Sequence, residues 1–537
     1  YIYLYIYIMS VSSNNFFYAN INYVDSSNVS NNYINFTHNT NNSLDLSENS
    51  LSKYARGFFF SPNYNKQFFD AINWANNLGD YKTQLNLINP FNNSLMNIDL
   101  LNNNVPSIKS SIIDMSPING EHPGDSFGFA VACNADGTVF AASGPFNDGN
   151  AYPTNTSVGH VRVYKRNGNA WNQMGADIDG DIINGGHLIG YSSQALSLNS
   201  DGTILAIGAD RHEGPGNDSG DVIIFDYVQG RTPSEWKQLG NIMHGEATYD
   251  YSGSTVSLNN DGTIVAIGAR VNDGYDDRAG HVRIYDYVKN RVPKEWDQMG
   301  DDIDGKTFIN YFGGSVSLNG DGNIVAGGGI YGKDNNDVYT GNVRVYDYVE
   351  TRSPKWQQLG DDICGDAEYN YFGECVSLSS DGTIVAIGAW GNDGVSTDPN
   401  DNRGHVRVYD YVETRTPKWD KLGSAIVGED AGDNFGFNIS LSADGSILAI
   451  GAKNNDGNDG NDVNSGHVRV YQYIEGIEGI EGKDWVQIDV DIDGEDENYQ
   501  SGHSVALSKN GSVLVVGEPY NNINGTNSGR VFTYEII

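Results

Sequence analysis

The segment YFGECVSLSSDGTIVAIGAWGNDGVSTDPNDNRGHVRVYDYV, residues 371–412, contains three strand signals separated by turn and loop sequences. The first two, FGECVSLS and TIVAIGA, are joined by an Asp-Gly pair, which favours the positive backbone angles of a tight β-hairpin. TIVAIGA is apolar at nearly every position, as expected of a strand covered on both faces. A fourth signal, WDKLGSAIVG, follows at residues 419–428. These four strands, called A to D below, predict one small antiparallel sheet.

The same pattern recurs seven times along the chain, and the turn between strands A and B marks each copy. Its glycines are Gly137, Gly202, Gly262, Gly322, Gly382, Gly445 and Gly511. Their successive spacings are 65, 60, 60, 60, 63 and 66 residues. A fixed period of this size indicates a solenoid, a propeller or a repeat array. The repeats begin near residues 121, 181, 246, 306, 366, 429 and 495.

The two ends of the repeat region indicate a closed ring. Six repeats carry a tryptophan in strand D, but the seventh ends at its strand C, SGRVFTYEII. The missing strand is predicted before the first repeat, where residues 105–120 end in a segment that aligns with the end of strand D. Joining the first and last segments in one blade removes an exposed sheet edge. We therefore predict an all-β fold, a seven-bladed β-propeller of four-stranded blades over residues 105–537.

The chain before the repeats has a different composition. Residues 1–104 are rich in Asn and Ser, and such a tract cannot bury enough apolar surface to offset its ordering entropy. We predict a mostly disordered segment, with a short amphipathic helix over residues 63–79. The first ten residues are apolar but too short to span a membrane and lack a basic flank. They fit either a translated upstream frame or a truncated signal peptide, and no later stretch is apolar for long enough to span a membrane.

Charge and cysteine content limit the partners. Asp and Glu total 69 against 32 Lys and Arg, a net charge of −37 that repels polyanions. Nucleic acid and anionic lipid surfaces are therefore excluded, and a protein or glycan ligand, or a cation, is favoured. The three cysteines, Cys133, Cys364 and Cys375, occupy no shared repeat position. They predict free thiols and neither a disulfide framework nor a zinc site.

The repeat resembles the FG-GAP repeat of integrin-α-type propellers across residues 121–537. The Phe-Gly half of the motif stands at Phe127-Gly128, Phe312-Gly313, Phe372-Gly373 and Phe435-Gly436. The second half ends strand B at Gly208-Ala209, Gly268-Ala269, Gly388-Ala389, Gly451-Ala452 and Gly517-Glu518-Pro519. WD-repeat propellers are similar in single strands, but their period is nearer about forty to forty-five residues. The FG-GAP resemblance implies a seven-bladed propeller and roles in adhesion or extracellular recognition.

The resemblance also implies a calcium site in the turn between strands A and B, written D-x-D-x-D-G with a further carboxylate three residues after the glycine. Here one such turn has Ser197, Asn199 and Asp201 at the ligand positions. Leu205 stands where the closing carboxylate belongs. One carboxylate per turn is too few for a tight site, so we predict plain hairpins and no cofactor.

The two faces of the predicted ring differ in charge. Loops between strands B and C, and the crossings between blades, are acidic, whereas the turns between strands C and D carry Arg and Lys. Loops around the central channel are the usual recognition site of propellers, and an acidic rim attracts cations or basic partners. The candidate binding residues are Asp148, Asp273, Asp393, Asp456, Asp459 and Asp462. The last three, spaced D-x-x-D-x-x-D, could hold a weakly bound calcium ion, and otherwise the metal content stays undefined.

Residues repeated in most blades are assigned to structure, because a catalytic group is needed only once per site. We predict that the strand D tryptophans and the tyrosines pack blade against blade, and that the strand C arginines pair with strand D acids.

Three functions are compatible with these patterns. The first is a non-catalytic adhesion or binding module, extracellular or surface-associated and monomeric, which the N-glycosylation sequons along the chain also suit. The second is an intracellular or virion scaffold. The third is a propeller-based glycosidase or lyase, but no repeat-breaking cluster of acid, base and nucleophile is found in the sequence. We predict the first, and no enzyme.

Overall fold

The structure is a computed structural model. Before residue 111 it describes only backbone strands, between Tyr3 and Asp99. From residue 111 to 537 it describes all residues except 150–156, 169, 181–187, 214–215, 230–234, 290–293, 395–400, 414–417, 458–462 and 475–483. The described residues contain no helix. The chain divides into two units, Tyr1–Ser110 and Ser111–Ile537.

The first unit contains two small antiparallel sheets. One consists of β1 (Tyr3–Ser10), β2 (Phe17–Asp25) and β3 (Asn28–Tyr33), in that order. The other consists of β4 (Asn35–Thr37), β5 (Gln84–Ile88) and β6 (Leu95–Asp99). The helix predicted over residues 63–79 lies outside the described residues.

The second unit is a seven-bladed β-propeller, which confirms the predicted fold class. Two strands, β7 (Ile112–Asp114) and β8 (Ile118–Asn119), precede blade 1. Blade 1 contains β9 (Val131–Cys133), β10 (Val139–Gly144), β11 (His160–Asn167), β12 (Ala170–Gln173) and β13 (Ile178–Asp179). Blade 2 contains β14 (Leu196–Leu198), β15 (Ile204–Ala209), β16 (Asp221–Val228), β17 (Glu235–Gln238) and β18 (Met243–His244).

Blades 3 to 5 repeat this plan. Blade 3 contains β19 (Ser252–Leu258), β20 (Ile264–Ala269), β21 (His281–Val288), β22 (Glu295–Gln298) and β23 (Ile303–Asp304). Blade 4 contains β24 (Phe312–Leu318), β25 (Ile324–Gly329), β26 (Asn342–Tyr348), β27 (Trp356–Gln358) and β28 (Ile363–Cys364). Blade 5 contains β29 (Cys375–Leu378), β30 (Ile384–Ala389), β31 (His405–Val412), β32 (Lys418–Lys421) and β33 (Ile426–Val427).

Blades 6 and 7 differ only in their outer strands. Blade 6 contains β34 (Asn438–Leu441), β35 (Ile447–Ala452), β36 (His467–Ile474) and one long outer strand, β37 (Asp484–Asp493). Blade 7 contains β38 (Ser504–Leu507), β39 (Val513–Glu518) and β40 (Arg530–Ile536). Its outer strands are β7 and β8, both antiparallel to β40. The closing strand predicted within residues 105–120 is therefore present.

The two halves of the Phe-Gly and Gly-Ala motif interlock between neighbouring blades. Gly268, near the end of β20, lies so close to the carbonyl oxygen of Gly313 in blade 4 that a Cβ could not fit. Gly313 in turn has a φ of +85°, a left-handed value that glycine adopts at no steric cost. Gly517 of blade 7 makes the same approach to Gly128 of blade 1. The motif thus sets the spacing of the blades and also joins the last blade to the first.

The strand D tryptophans bind each blade to the one before it, as predicted. The indole N–H of Trp296 donates to the carbonyl of Leu239 in blade 2 at 2.8 Å, and Trp236, Trp356, Trp419 and Trp485 make equivalent bonds. In blade 1, Trp171 donates instead to the hydroxyl of Thr533 in blade 7. Each tryptophan satisfies its polar atom while its ring stays in the core between blades.

A ring of backbone hydrogen bonds closes the channel end that carries the turns between strands A and B. One turn residue per blade donates its N–H to the equivalent carbonyl of the next blade, from Ala135 through Ser200, Asn260, Gly320, Ser380 and Ala443 to Lys509. Asn510 completes the circle by donating to Ala135 at 3.1 Å. Behind this ring, the seven innermost strands line a cavity of about 200 Å³.

Candidate functional site

Four of the predicted binding aspartates hold the shape of their own loops. One carboxylate oxygen of each accepts a backbone N–H from five to nine residues further along, in the pairs Asp148–Ser157, Asp273–Arg278, Asp393–Asn402 and Asp456–Asn464. The donor–acceptor distances are 2.9 to 3.1 Å. Asp459 and Asp462 lie outside the described residues. That these side chains bind a ligand stays a prediction.

The channel mouth at the loop face is lined by the residue that follows the motif glycine in each blade. This position lies close to the start of strand A, next to the channel, and the sequence there changes from blade to blade. It holds Phe129, Tyr191, Ser254, Gly314, Glu374, Phe437 and His503. The two residues after strand B reach the same mouth, and they too vary, unlike the repeated core of the blades. The mouth is therefore where the sevenfold repeat loses its symmetry.

Aromatic rings form one arc of this mouth, across blades 6, 7, 1 and 2. Phe437 lies 5.6 Å from His503 between ring centroids, and His503 lies 4.5 Å from Phe129. Phe129 stacks on Tyr191 at 5.4 Å. Burial lowers the pKa of His503 to about 3, helped by the charge of Lys453, so this imidazole is neutral and packs as an aromatic ring.

A second aromatic arc crosses blades 4 and 5. Tyr331 lies 5.5 Å from both Tyr311 and Tyr371. Tyr371 stacks on Trp390 with 4.5 Å between centroids and 12° between planes. All four rings are half-buried, so part of each surface remains open to a ligand. Tyr249 and Tyr369, on the crossings that precede these rings, are 52% and 53% exposed and extend the aromatic surface outward.

Three tyrosines of this mouth occupy strained backbone positions. Tyr251, Tyr311 and Tyr371 have φ values of 54°, 51° and 53°. The equivalent residue of every blade is left-handed, and in blade 6 it is Asn434, a residue type that tolerates this region. A bulky residue there costs on the order of 1 kcal/mol or more. The conformation belongs to the repeat, and blades 3 to 5 differ from the other blades by placing a tyrosine there.

Three cations stand among the rings. The guanidinium of Arg211 lies 4.7 Å from the centre of the Tyr191 ring, and that of Arg270 lies 5.9 Å from the centre of Tyr251. The Lys453 ammonium lies 3.5 Å from the centre of Phe437. Within the described part of the propeller, no carboxylate lies within 4 Å of any of these three charges. Cation–π attraction of this kind holds a charge in place without neutralising it.

Two carboxyl groups complete the site, and burial raises the pKa of both. Asp210 is 3% exposed and experiences the charges of Arg270 and Arg211. Glu374 lies against the indole of Trp390 and experiences Arg270 and Lys453. The carbonyl of Glu374 accepts a hydrogen bond from Gln194 of blade 2, three blades away, at 3.1 Å. This bridge crosses the channel and forms a floor beneath the aromatic rings.

The channel-mouth cluster, defined here as Tyr251, Arg270, Tyr371, Glu374, Trp390 and Lys453, was not predicted from the sequence. A signal for Glu374 was nevertheless present, because aligning the repeats shows that the position after the motif glycine changes in chemical type from blade to blade.

Another recurring group contains potential metal ligands. Glu, His and Asp side chains come within 4.8 Å of one another at Glu246–His281–Asp302, and equivalent groups occur in blades 1 and 6. In blade 3, however, Arg283 donates to both oxygens of Asp302, at 2.9 and 2.6 Å, and also pairs with Glu246. The guanidinium already supplies the positive charge that these acids need. The predicted pairing of strand C arginines with strand D acids is thus confirmed here and at Arg469–Asp491.

No family model matches the chain, and no curated protein matches it either. In the part of the chain that the structure describes, no helix has the length and apolar character needed to cross a membrane.

Proposed function

We propose that this protein is a non-catalytic glycan-binding propeller of the FG-GAP type, and that its binding site is the channel mouth at the loop face. The observation that carries the proposal is the set of three tyrosines, Tyr251, Tyr311 and Tyr371, held at left-handed backbone positions around that mouth. The left-handed backbone is shared by the equivalent residue of every blade, so what distinguishes these three positions is an aromatic ring at the mouth on a backbone that bulky residues adopt at a cost.

The shape and chemistry of the mouth favour a sugar. A concave site lined by aromatic rings with a few polar groups is typical of small-ligand sites. The C–H faces of a pyranose ring pack on aromatic faces, while its hydroxyl groups need acceptors and donors such as Glu374 and Arg270. A protein ligand would need roughly 800 Å² of contact on each partner, and the acidic loops around the mouth would then contribute to it.

Kinship with FG-GAP proteins is part of the proposal. It is supported by the roles of the motif residues, since the Phe is buried and the two glycines meet between blades. An extracellular location goes with it. Asn217 and Asn524 are exposed sequons, whereas Asn438 is a sequon buried in strand A and unavailable to glycosylation. Mass spectrometry of the protein secreted from eukaryotic cells tests this, with glycan expected at Asn217.

A glycan array tests the binding function. The full chain is compared with a triple variant, Tyr251→Asn, Tyr311→Asn and Tyr371→Asn, which relieves the strain and removes the rings. The matched control is Leu188→Asn, the same left-handed position in blade 2. We expect the wild type and the control to bind the same glycans and the triple variant to lose them. Equal binding by the triple variant would place the site elsewhere, and binding of no glycan would overturn the proposed ligand class.

Release of reducing sugar from the bound glycans tests the non-catalytic part. We expect none. If hydrolysis were seen, Glu374 would be the first candidate for the acid, because a carboxyl group with a raised pKa is the usual proton donor in glycoside cleavage.

A further inference from the structure

We propose that the glycan bound at the channel mouth ends in a single carboxylate-bearing sugar, and that Arg270 and Lys453 bind its carboxylate. This inference rests on the proposed function and specifies the ligand. It starts from the three cations that lie over aromatic rings at this mouth.

Several arginines elsewhere in the propeller are paired with acids. Arg283, Arg407 and Arg469 in strand C each pair with at least one carboxylate. Arg403 donates to both oxygens of Asp401, at 2.8 and 3.0 Å. Arg211, Arg270 and Lys453 each lie over an aromatic ring around one mouth, and among the described residues none of them has a carboxylate oxygen within 4 Å.

The nearby acids do not cancel these charges. Asp210 and Glu374 interact with Arg270 at a distance, and burial raises the pKa of both carboxyl groups, which disfavours their charged forms. Arg270 is exposed and Lys453 half-buried, so a ligand can reach them. A carboxylate is the group that a guanidinium binds in two parallel hydrogen bonds.

The negative net charge of the whole molecule disfavours a ligand that carries more than one negative charge. The acidic loops surround this locally positive mouth, and a net charge of −37 repels any polyanion that approaches. A neutral glycan chain with one terminal carboxylate meets both conditions. Its ring has a surface to pack on, since Tyr371 and Trp390 stack beside Glu374 at the same mouth.

The carboxylate could belong to a sialic acid or to a uronic acid, and the test separates the two. Titration calorimetry on the full chain uses 3′-sialyllactose and cellobiouronic acid, each against its own carboxylate methyl ester. The ester keeps the sugar and removes only the charge. We expect at least one acid to bind about tenfold more tightly than its ester, as loss of a charge-assisted hydrogen bond predicts. The acid that does so identifies the source.

Variants test the residues. Arg270→Gln is expected to bring the affinities for the acid and its ester together. Arg166→Gln, which removes the same charge from an arginine paired with Glu535 in the outer part of blade 1, is expected to leave the preference unchanged. Ester binding as tight as acid binding, or an acid preference that survives in Arg270→Gln, would overturn the inference. In both cases glycan binding on the array would still support the proposed function, whereas its absence would overturn both.

Discussion

At the scale of single residues, Glu518 differs from the residue that most other blades carry at the same position, and the difference has a measurable consequence. Alanine occupies this position at the end of strand B in blades 2, 3, 5 and 6, whereas blade 7 has a glutamate that is 1% exposed. Its carboxylate accepts a hydrogen bond from the Asn521 amide at 2.9 Å. Burial raises the pKa of Glu518 from 4.5 to about 7. The folded state therefore holds this proton more tightly than the unfolded state.

This raised pKa predicts a stability that falls as pH rises. The contribution of Glu518 is fully present below pH 4.5 and is lost as pH rises through about 7, by about 3 kcal/mol at most. We expect Glu518→Gln to remove this loss, so that the variant melts at a higher temperature than the wild type above neutral pH. Melting temperatures measured across the pH range check this, with the exposed Glu497→Gln as control. Parallel curves for wild type and Glu518→Gln would contradict it.

Glu374 makes a pH prediction for binding. Arg270 of blade 3 and Lys453 of blade 6 face it, and Trp390 lies beside it, yet burial raises its pKa. As pH falls, Glu374 takes up a proton and a negative charge disappears from the site, so an anionic sugar should bind more tightly. We expect Glu374→Gln to bind the anionic sugar, at every pH in the titration, with the affinity that the wild type reaches when Glu374 is protonated. Calorimetric titrations from neutral to mildly acidic pH check this, and a wild-type affinity that weakens with acid would contradict it.

At the scale of elements, β7 determines whether the ring is closed. It lies at the outer edge of blade 7, where Ser111 and Ile537 exchange both backbone hydrogen bonds. The backbone N–H of Met115, four residues after Ser111, donates to the carbonyl of Thr533. Because hydrogen-bonded pairs alternate in an antiparallel ladder, Ile113 and Glu535 form the pair between them, and the N–H of Asp114 points away from the sheet.

Proline substitutions use this alternation as a matched test. Ile113→Pro removes a ladder bond and should lower the free energy of unfolding by about 3 kcal/mol. Asp114→Pro places the same residue where no ladder bond is lost, and its effect should be much smaller. Calorimetric melting of both variants in the full chain checks this. Equal destabilisation would mean that β7 does not close blade 7 in solution.

At the scale of the whole molecule, charge opposes compactness. The chain has a net charge of −37, and its excess negative charges repel one another. We expect the melting temperature to rise when sodium chloride is increased from about 20 mM to about 200 mM, because the Debye length falls over this range. The rise should be similar with potassium chloride. A melting temperature that falls with salt would show that paired charges, such as those of the strand C arginines, outweigh the repulsion.

Much of the propeller was predictable because the information is local and repeated. The Asp-Gly turns, the apolar strand B and the Gly before strand C each act within a few residues, and seven copies reinforce the same interpretation. The closing strand was predictable because strand D is absent at one end of the repeat region and present at the other. Residues that recur in every blade could be assigned to packing for the same reason.

The candidate site was not predictable in this way. The loop aspartates were chosen because they recur, but the structure gives four of them hydrogen bonds to their own loops. The tyrosines of the channel-mouth cluster recur in three blades, but its charged residues, Arg270, Glu374 and Lys453, do not recur and come from blades 3, 5 and 6. Nothing in the local sequence of Arg270 or Glu374 indicates that the two interact.

The sequence by itself determined the blade, the number of blades and the closure of the ring, because turn chemistry and strand alternation act between neighbours in the chain. Only the tertiary structure decided which side chains meet at the mouth of the channel. The physical reason is the circular arrangement, which brings together single residues about sixty positions apart in sequence and leaves each in a backbone conformation fixed by the neighbouring blade.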